Sequence, residues 1–158
     1  MSSKTYSAKH MNIIAGAFKL EGFGETDMVE IARSEGKWVT TVGADGHVSR
    51  SYVASDAGTV AITLMQTSDA NETLNGLLLT DVTTLKGQVP LVIQDTLGGS
   101  TYSSTDAWLQ GPPSVSYAKE IAEFTWTFDC ADLAMYIAGG EGGLLAGAVN
   151  SIASAVGL

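Results

Sequence analysis

The sequence predicts a mainly β protein, two packed antiparallel sheets or a partly closed barrel, flanked by one α-helix. Three observations carry this. Trp38 to Val53 reads as two β-runs joined by a turn on Asp45-Gly46, among the strongest short-range hairpin signals. Alternating apolar runs recur along most of the chain, about eight in all. One convincing stretch, after Asp69, changes to helical spacing.

Taken in order, Ile13 to Phe23 sets apolar residues among glycine and alanine and predicts a first strand ending at Gly22-Phe23-Gly24. Met28 to Arg33 alternates, with Met28, Glu30 and Ala32 against Val29, Ile31 and Arg33, and predicts the second. The hairpin supplies the third and fourth, around Trp38, Thr40 and Val42, then Val48, Arg50 and Tyr52. After a turn at Ser55 to Gly58, Thr59 to Thr67 places Val60, Ile62 and Leu64 on one face of a fifth. Asp69 then stands as a helix N-cap with Glu72 three residues on, as in a capping box. Leu74, Leu77, Leu78 and Val82 follow at helical spacing, which predicts a helix over 70–81 whose leucine stripe covers a sheet face or barrel mouth.

Val89 to Thr96 returns to strand, with Pro90 marking an edge or a strand start. Leu97 to Thr105 reads as a Gly/Ser/Thr loop, Asp106 to Gln110 as a short strand, and Gly111-Pro112-Pro113 as a break. Glu123 to Ile137 is the longest strand candidate, with Phe124, Trp126 and Phe128 alternating against Thr125, Thr127 and Asp129. From Gly139 the chain runs Gly-Gly-Glu-Gly-Gly, and Leu144 to Leu158 carries no charged side chain. Leu144, Leu145, Ala148, Val149, Ile152 and Val156 fall at helical spacing. The chain thus divides into a β domain, 1–138, and a glycine-hinged apolar arm, 139–158. The arm is shorter and richer in small residues than the roughly 20 apolar residues of a membrane span. It is expected to dock on the body or on a neighbouring subunit, without stable membrane insertion.

Hydrophobic residues make up 45% of the 158 and charged residues only 16%, against about a quarter in most soluble domains. A surface this poor in charge suits an assembly better than a lone monomer. The 17 acids against 8 bases leave a net charge of -9, which speaks against simple binding to nucleic-acid phosphates and allows a surface that repels DNA. Cys130 stands alone, so no intramolecular disulfide is expected. The opening Met-Ser-Ser-Lys-Thr-Tyr lacks the apolar core of a secretory signal, so synthesis and folding in a reducing cytoplasm are expected. On that expectation the sequon Asn71-Glu72-Thr73 carries no weight.

No catalytic, cofactor or metal constellation emerges, and the chain reads as a non-enzyme. His10 and His47 lie far apart, with no ligand spacing around either. Cys130 reads as a small buried thiol within a strand. Glu120, Glu123, Asp129 and Asp132 are dense enough for a glycosidase pair, yet a solvated or lumen-facing strand edge explains them as well. Gly22 and Gly24 lack the helix that a dinucleotide fingerprint requires. Trp38, Trp108 and Trp126 could form a sugar platform, although their strand positions favour core packing.

Three segments in sequence carry a family resemblance: Gly43-Ala44-Asp45-Gly46-His47-Val48-Ser49-Arg50-Ser51, Gly58-Thr59-Val60-Ala61-Ile62-Thr63-Leu64, and Gln66-Thr67-Ser68-Asp69-Ala70-Asn71-Glu72-Thr73-Leu74. Pro112 to Asp129, with Lys119-Glu120 ahead of Phe124-Thr125-Trp126-Thr127-Phe128, fits the same pattern. Together they resemble tail tube proteins of long-tailed bacteriophages, particularly those with contractile tails, over most of residues 10–138. The resemblance implies a sandwich or barrel-like subunit with one flanking helix. Six copies would form a ring, and stacked rings a hollow tube that conducts the genome into the host.

It further implies sheath, baseplate and tape-measure partners, DNA passing without specific binding, and a place in the virion after assembly in the host cytoplasm. On this reading the hairpin tip, Gly43, Ala44, Asp45, Gly46 and His47, is expected to join stacked rings. Asp95, Glu123 and Asp129 are the lumen candidates, and Leu144, Leu145, Val149, Ile152 and Val156 form an assembly arm. Two alternatives stand beside it: the inner tube of a bacterial contractile injection or secretion device, and a carbohydrate-binding β-sandwich.

Overall fold

The computed structural model describes residues 3–25 and 27–139; the expected arm, 139–158, lies outside the described residues from 140 on. A short 3-10 turn, Ala8–His10, leads into β1 (Met11–Ala15) and β2 (Phe18–Lys19). There follow β3 (Val29–Arg33), the hairpin strands β4 (Trp38–Val42) and β5 (Val48–Tyr52), and β6 (Gly58–Met65). Helix α1 (Ala70–Thr84) precedes β7 (Val89–Asp95), β8 (Thr101–Leu109), β9 (Glu123–Cys130) and β10 (Ala134–Tyr136). Eight strands form one antiparallel sheet in the order β2-β1-β7-β8-β9-β6-β3, with β10 also paired to β8. β4 and β5 form a separate two-stranded sheet. The described residues are therefore mainly β, with two antiparallel sheets and one α-helix, and the larger sheet does not close into a barrel.

Alternation decides which face of the large sheet is buried. Phe124, Trp126, Phe128 and Cys130 of β9 point inward, as do Val60, Ile62 and Leu64 of β6. All of these but Phe124 share one core with Ile13 and Ala15 of β1 and Leu91 and Ile93 of β7, near the other end of the strand order. The sheet therefore curls around its own inner face. Full burial of each large side chain there stabilises by about 1.5–3 kcal/mol. Helix α1 covers part of this face with Leu74 and, less completely, Leu77 and Leu78, while Val82 of the predicted stripe and Leu79 remain exposed. No helix among the described residues is long and apolar enough to cross a membrane.

Several local expectations are corrected. The predicted first strand is broken at Gly16, whose φ of +63° turns β1 back into β2, and Phe23 returns only as an isolated bridge to Leu64. Pro90 marks a strand start, as the second residue of β7, and not an edge, because β7 lies between β1 and β8. It sits where the β7–β8 register shifts between Val89 and Leu91, so its missing N–H interrupts a ladder already broken there. The expected loop at 97–105 is half strand, since β8 begins at Thr101 and is paired by both β7 and β10. The long run from Glu123 breaks after Cys130; β10 turns away to pair with Tyr102 and its neighbours on β8.

The helix runs three residues beyond Asp81, to Thr84. Asp69 makes no side-chain cap bond, and its φ of -65° and ψ of -20° are already helical. Ser68 takes that role, its Oγ accepting from the Ala70 N–H at 3.2 Å.

Candidate functional site

Three surfaces stand out among the described residues: a hairpin, an outer sheet face and a groove. The hairpin is the most exposed. Its tip closes by a Gly43 N–H donating to the His47 carbonyl at 2.7 Å and a Gly46 N–H donating to the Gly43 carbonyl at 2.9 Å. Gly46 takes φ of +88°, the left-handed conformation that a three-residue loop with a terminal bulge demands. The Asp45 carboxylate accepts from the His47 N–H at 3.2 Å and lies 2.6 Å from His47 Nδ1. These bonds, the backbone one foremost, hold the Asp45 carboxyl below its ordinary value.

Every residue of β4 and β5 is exposed. Pairing of Trp38 with Tyr52, Thr40 with Arg50 and Val42 with Val48 puts these six on one face. The Arg50 guanidinium lies 3.9 Å from the Trp38 ring centroid, and Tyr52 meets Trp38 edge-on at 5.4 Å. Core packing, expected for the tryptophans, holds for Trp126 at 4% exposure and fails for Trp38 at 49%. A short hairpin with no sheet beneath it cannot bury its own aromatic.

The outer face of the large sheet is polar. Thr59, Thr63 and Met65 of β6 stand opposite Asp129, Thr125 and Glu123 of β9. Trp108 of β8 pairs with Asp129 on the other side, and the Gln110 amide donates to the Asp129 carboxylate at 2.8 Å. Strands β6, β8 and β9 contain no lysine or arginine. Two lumen candidates, Glu123 and Asp129, thus share one face. Asp95 is set apart. It ends β7 in step with the buried Leu91 and Ile93, and its carboxylate accepts from the Leu97 and Gly98 N–H groups at 3.2 and 2.9 Å.

The groove, of about 620 Å³, was not anticipated from the sequence. Met11, Val29, Ile31, Tyr102 and Met135 give it an apolar floor, and Glu25, Asp27 and Asp95 acidify it. No lysine or arginine lines it. The alternation of Val29 and Ile31 was visible, but only the curl of the sheet brings β3 towards β1 and β10.

The dense late carboxylates do not face one another as a pair. Asp132 binds the Ser104 hydroxyl at 2.9 Å, the Thr105 hydroxyl, and the Thr105 N–H at 3.1 Å. Glu123 accepts from the Glu25 N–H at 2.7 Å, and Asp129 is held by Gln110. Cys130 is buried, and desolvation, with Asp129 and Asp132 nearby, pushes its thiol pKa up. Among the described residues no group of three or more His, Cys, Asp or Glu side chains comes together to hold a metal.

Comparison with known proteins agrees with this architecture. The chain is 25% identical over 132 residues to structural protein ORF10 of Pseudomonas phage KPP10, covering 78% of this chain and 76% of that protein. Its fold is similar to the cap terminating the anti-feeding prophage tube, with a TM-score of 0.59 and 9% identity, over 87% of this chain and 95% of the other. It is also similar to a chain of the sheath-tube complex of the extracellular contractile injection system PVC, with a TM-score of 0.52 and 13% identity, over 84% and 92%. Residues 5–138, nearly all of those described, match the family model of the bacteriophage PhiTE tail tube protein, and the chain belongs to that family.

Proposed function

We propose that this tail structural protein is the tube subunit itself: six copies close a ring, and rings stack into a hollow tube that conducts the genome. The observation that carries the reading is the outer face of β6, β8 and β9, acidic and rich in threonine, without a cation on any of the three strands. DNA slides past a wall only where phosphates find no array of lysine or arginine, because each such contact releases counterions and holds the polymer. Glu123 and Asp129 are assigned to that wall. The tip Gly43 to His47 joins stacked rings, and the arm 139–158 strengthens assembly. Sheath, baseplate and tape-measure proteins are its partners in the virion, which is assembled in the host cytoplasm. The exposed Trp38 ring is already stacked by Arg50 and offers no free platform on that face for a sugar.

Negative-stain microscopy of the purified chain tests the reading. Six-fold rings or tubes are expected, and compact monomers at all concentrations would overturn it. Thr127→Lys, which adds a cation to the proposed wall, is expected to leave tubes intact while slowing genome delivery; unimpaired delivery from such tubes removes the assignment of this face.

A further inference from the structure

Resting on the tube reading, we infer that the hairpin of one copy docks in the acidic groove of a second copy, with Arg50 set against Glu25 and Asp27. An isolated two-stranded hairpin is marginally stable in water, and this one has no cover: all ten of its strand residues are exposed. Its aromatic face carries Trp38, Tyr52, Val42 and Val48, each at least 49% exposed. Because the hairpin stands clear of its own sheet, its own groove is not where that face is buried.

Charge selects the partner surface. Arg33 and Lys37 are both taken up by Asp56. Arg50, on a chain of net charge -9, is stacked on Trp38 and has no carboxylate partner among the described residues. Stacking preorganises the guanidinium, so little side-chain freedom remains to be lost on docking. The groove is complementary: an apolar floor of Met11, Val29, Ile31 and Met135, carboxylates at Glu25 and Asp27, and no cation. Its volume of about 620 Å³ holds several large side chains, so it takes the Trp38–Tyr52 face and not the whole hairpin. A subunit carrying both halves of one contact propagates it from copy to copy.

Two full-length variants test the docking. Arg50→Glu makes the hairpin anionic, and Glu25→Arg combined with Asp27→Arg makes the groove cationic. Neither change touches the core, and retained thermal melting of each confirms its fold. Each alone should raise the concentration needed for polymerisation by about tenfold or more, since like charges meet at every contact. Mixed together they should co-assemble near the wild-type concentration, each hairpin meeting a groove of opposite sign. Wild-type assembly by Arg50→Glu alone overturns the docking and leaves the tube reading standing. Failure of the mixture to improve on either variant overturns the docking too. A wild-type chain that never polymerises overturns both.

Discussion

The indole N–H of Trp126 donates to the side-chain oxygen of Asn71 at 3.0 Å, tying the buried face of β9 to the first turn of α1. The other end of the same amide donates to the Met65 and Ser68 carbonyls, at 2.9 and 3.1 Å. One side chain thus fixes the helix, the end of β6 and the indole together. Asn71→Ala leaves a nearly buried indole N–H without its partner, at a cost of about 1–3 kcal/mol. Chemical denaturation should show a lower midpoint with an unchanged slope. An unshifted midpoint would mean that the amide does not hold the helix to the sheet.

Gly58 opens β6 where there is no room for a side chain. A Cβ there would lie 2.7 Å from the Ala32 carbonyl oxygen and 2.5 Å from the Leu133 side chain. Leu133 can adjust; the backbone of β3 cannot without disturbing its pairing with β6. Gly58→Ala is expected to destabilise by about 1–3 kcal/mol. Equal thermal stability of the variant would refute the close approach.

Asp132 makes stability depend on acid. The Thr105 hydroxyl first, then the Ser104 hydroxyl and the Thr105 and Asp106 N–H groups, hold its carboxyl below the usual value. Because the folded value is the lower one, the contribution is present above the ordinary carboxylate range and disappears as pH falls through the depressed value. Asp132→Ala should therefore cost roughly 1 kcal/mol near pH 7, discounted for solvent access, and progressively less in acid. Denaturation curves for both proteins across that range check it. A gap independent of pH would show that the carboxylate charge is not what counts.

Leu85 ends α1 with φ of 59°, in the left-handed region, while its N–H donates to the Asp81 carbonyl at 2.7 Å. Its side chain is 77% exposed, so little packing offsets the backbone strain. Leu85→Gly relieves that strain and is expected to stabilise by about 0.5–1 kcal/mol after the entropy of the more flexible unfolded chain is subtracted. A melting temperature that falls would contradict the geometry.

Legibility followed the range of the interactions. The β4–β5 hairpin and β6 were readable because their alternation and the Asp45-Gly46 turn are local. The shared face of Glu123 and Asp129 was implicit in the alternation with Phe124, Trp126 and Phe128. What escaped was set by pairing at a distance. Thr101 to Ser104 look like loop residues and become strand only because β7 and β10 flank them. Pro90 could not reveal that its strand is central, since a bulge excused its missing donor. Ser68 displaced Asp69 as the cap because the helix begins one residue earlier in conformation than in composition. The exposure of Trp38 follows from a hairpin that stands apart from the large sheet, and the acidic groove from how that sheet curls, neither of which a local pattern encodes.

The central pairing of β6 with β9 joins Gly58 to Cys130 and Met65 to Glu123, whereas the hairpin joins Trp38 to Tyr52. Closing so long a loop before any contact rewards it makes sheets of this kind fold over milliseconds to seconds, while hairpins form in about 1–10 μs. During synthesis the hairpin leaves the ribosome before β9 does. Its adhesive face therefore exists, fleetingly and repeatedly, before the chain has completed the surface that would receive it. Self-association is thereby ordered in time: a nascent subunit can offer its hairpin to finished copies but cannot accept one until its own last strands are in place.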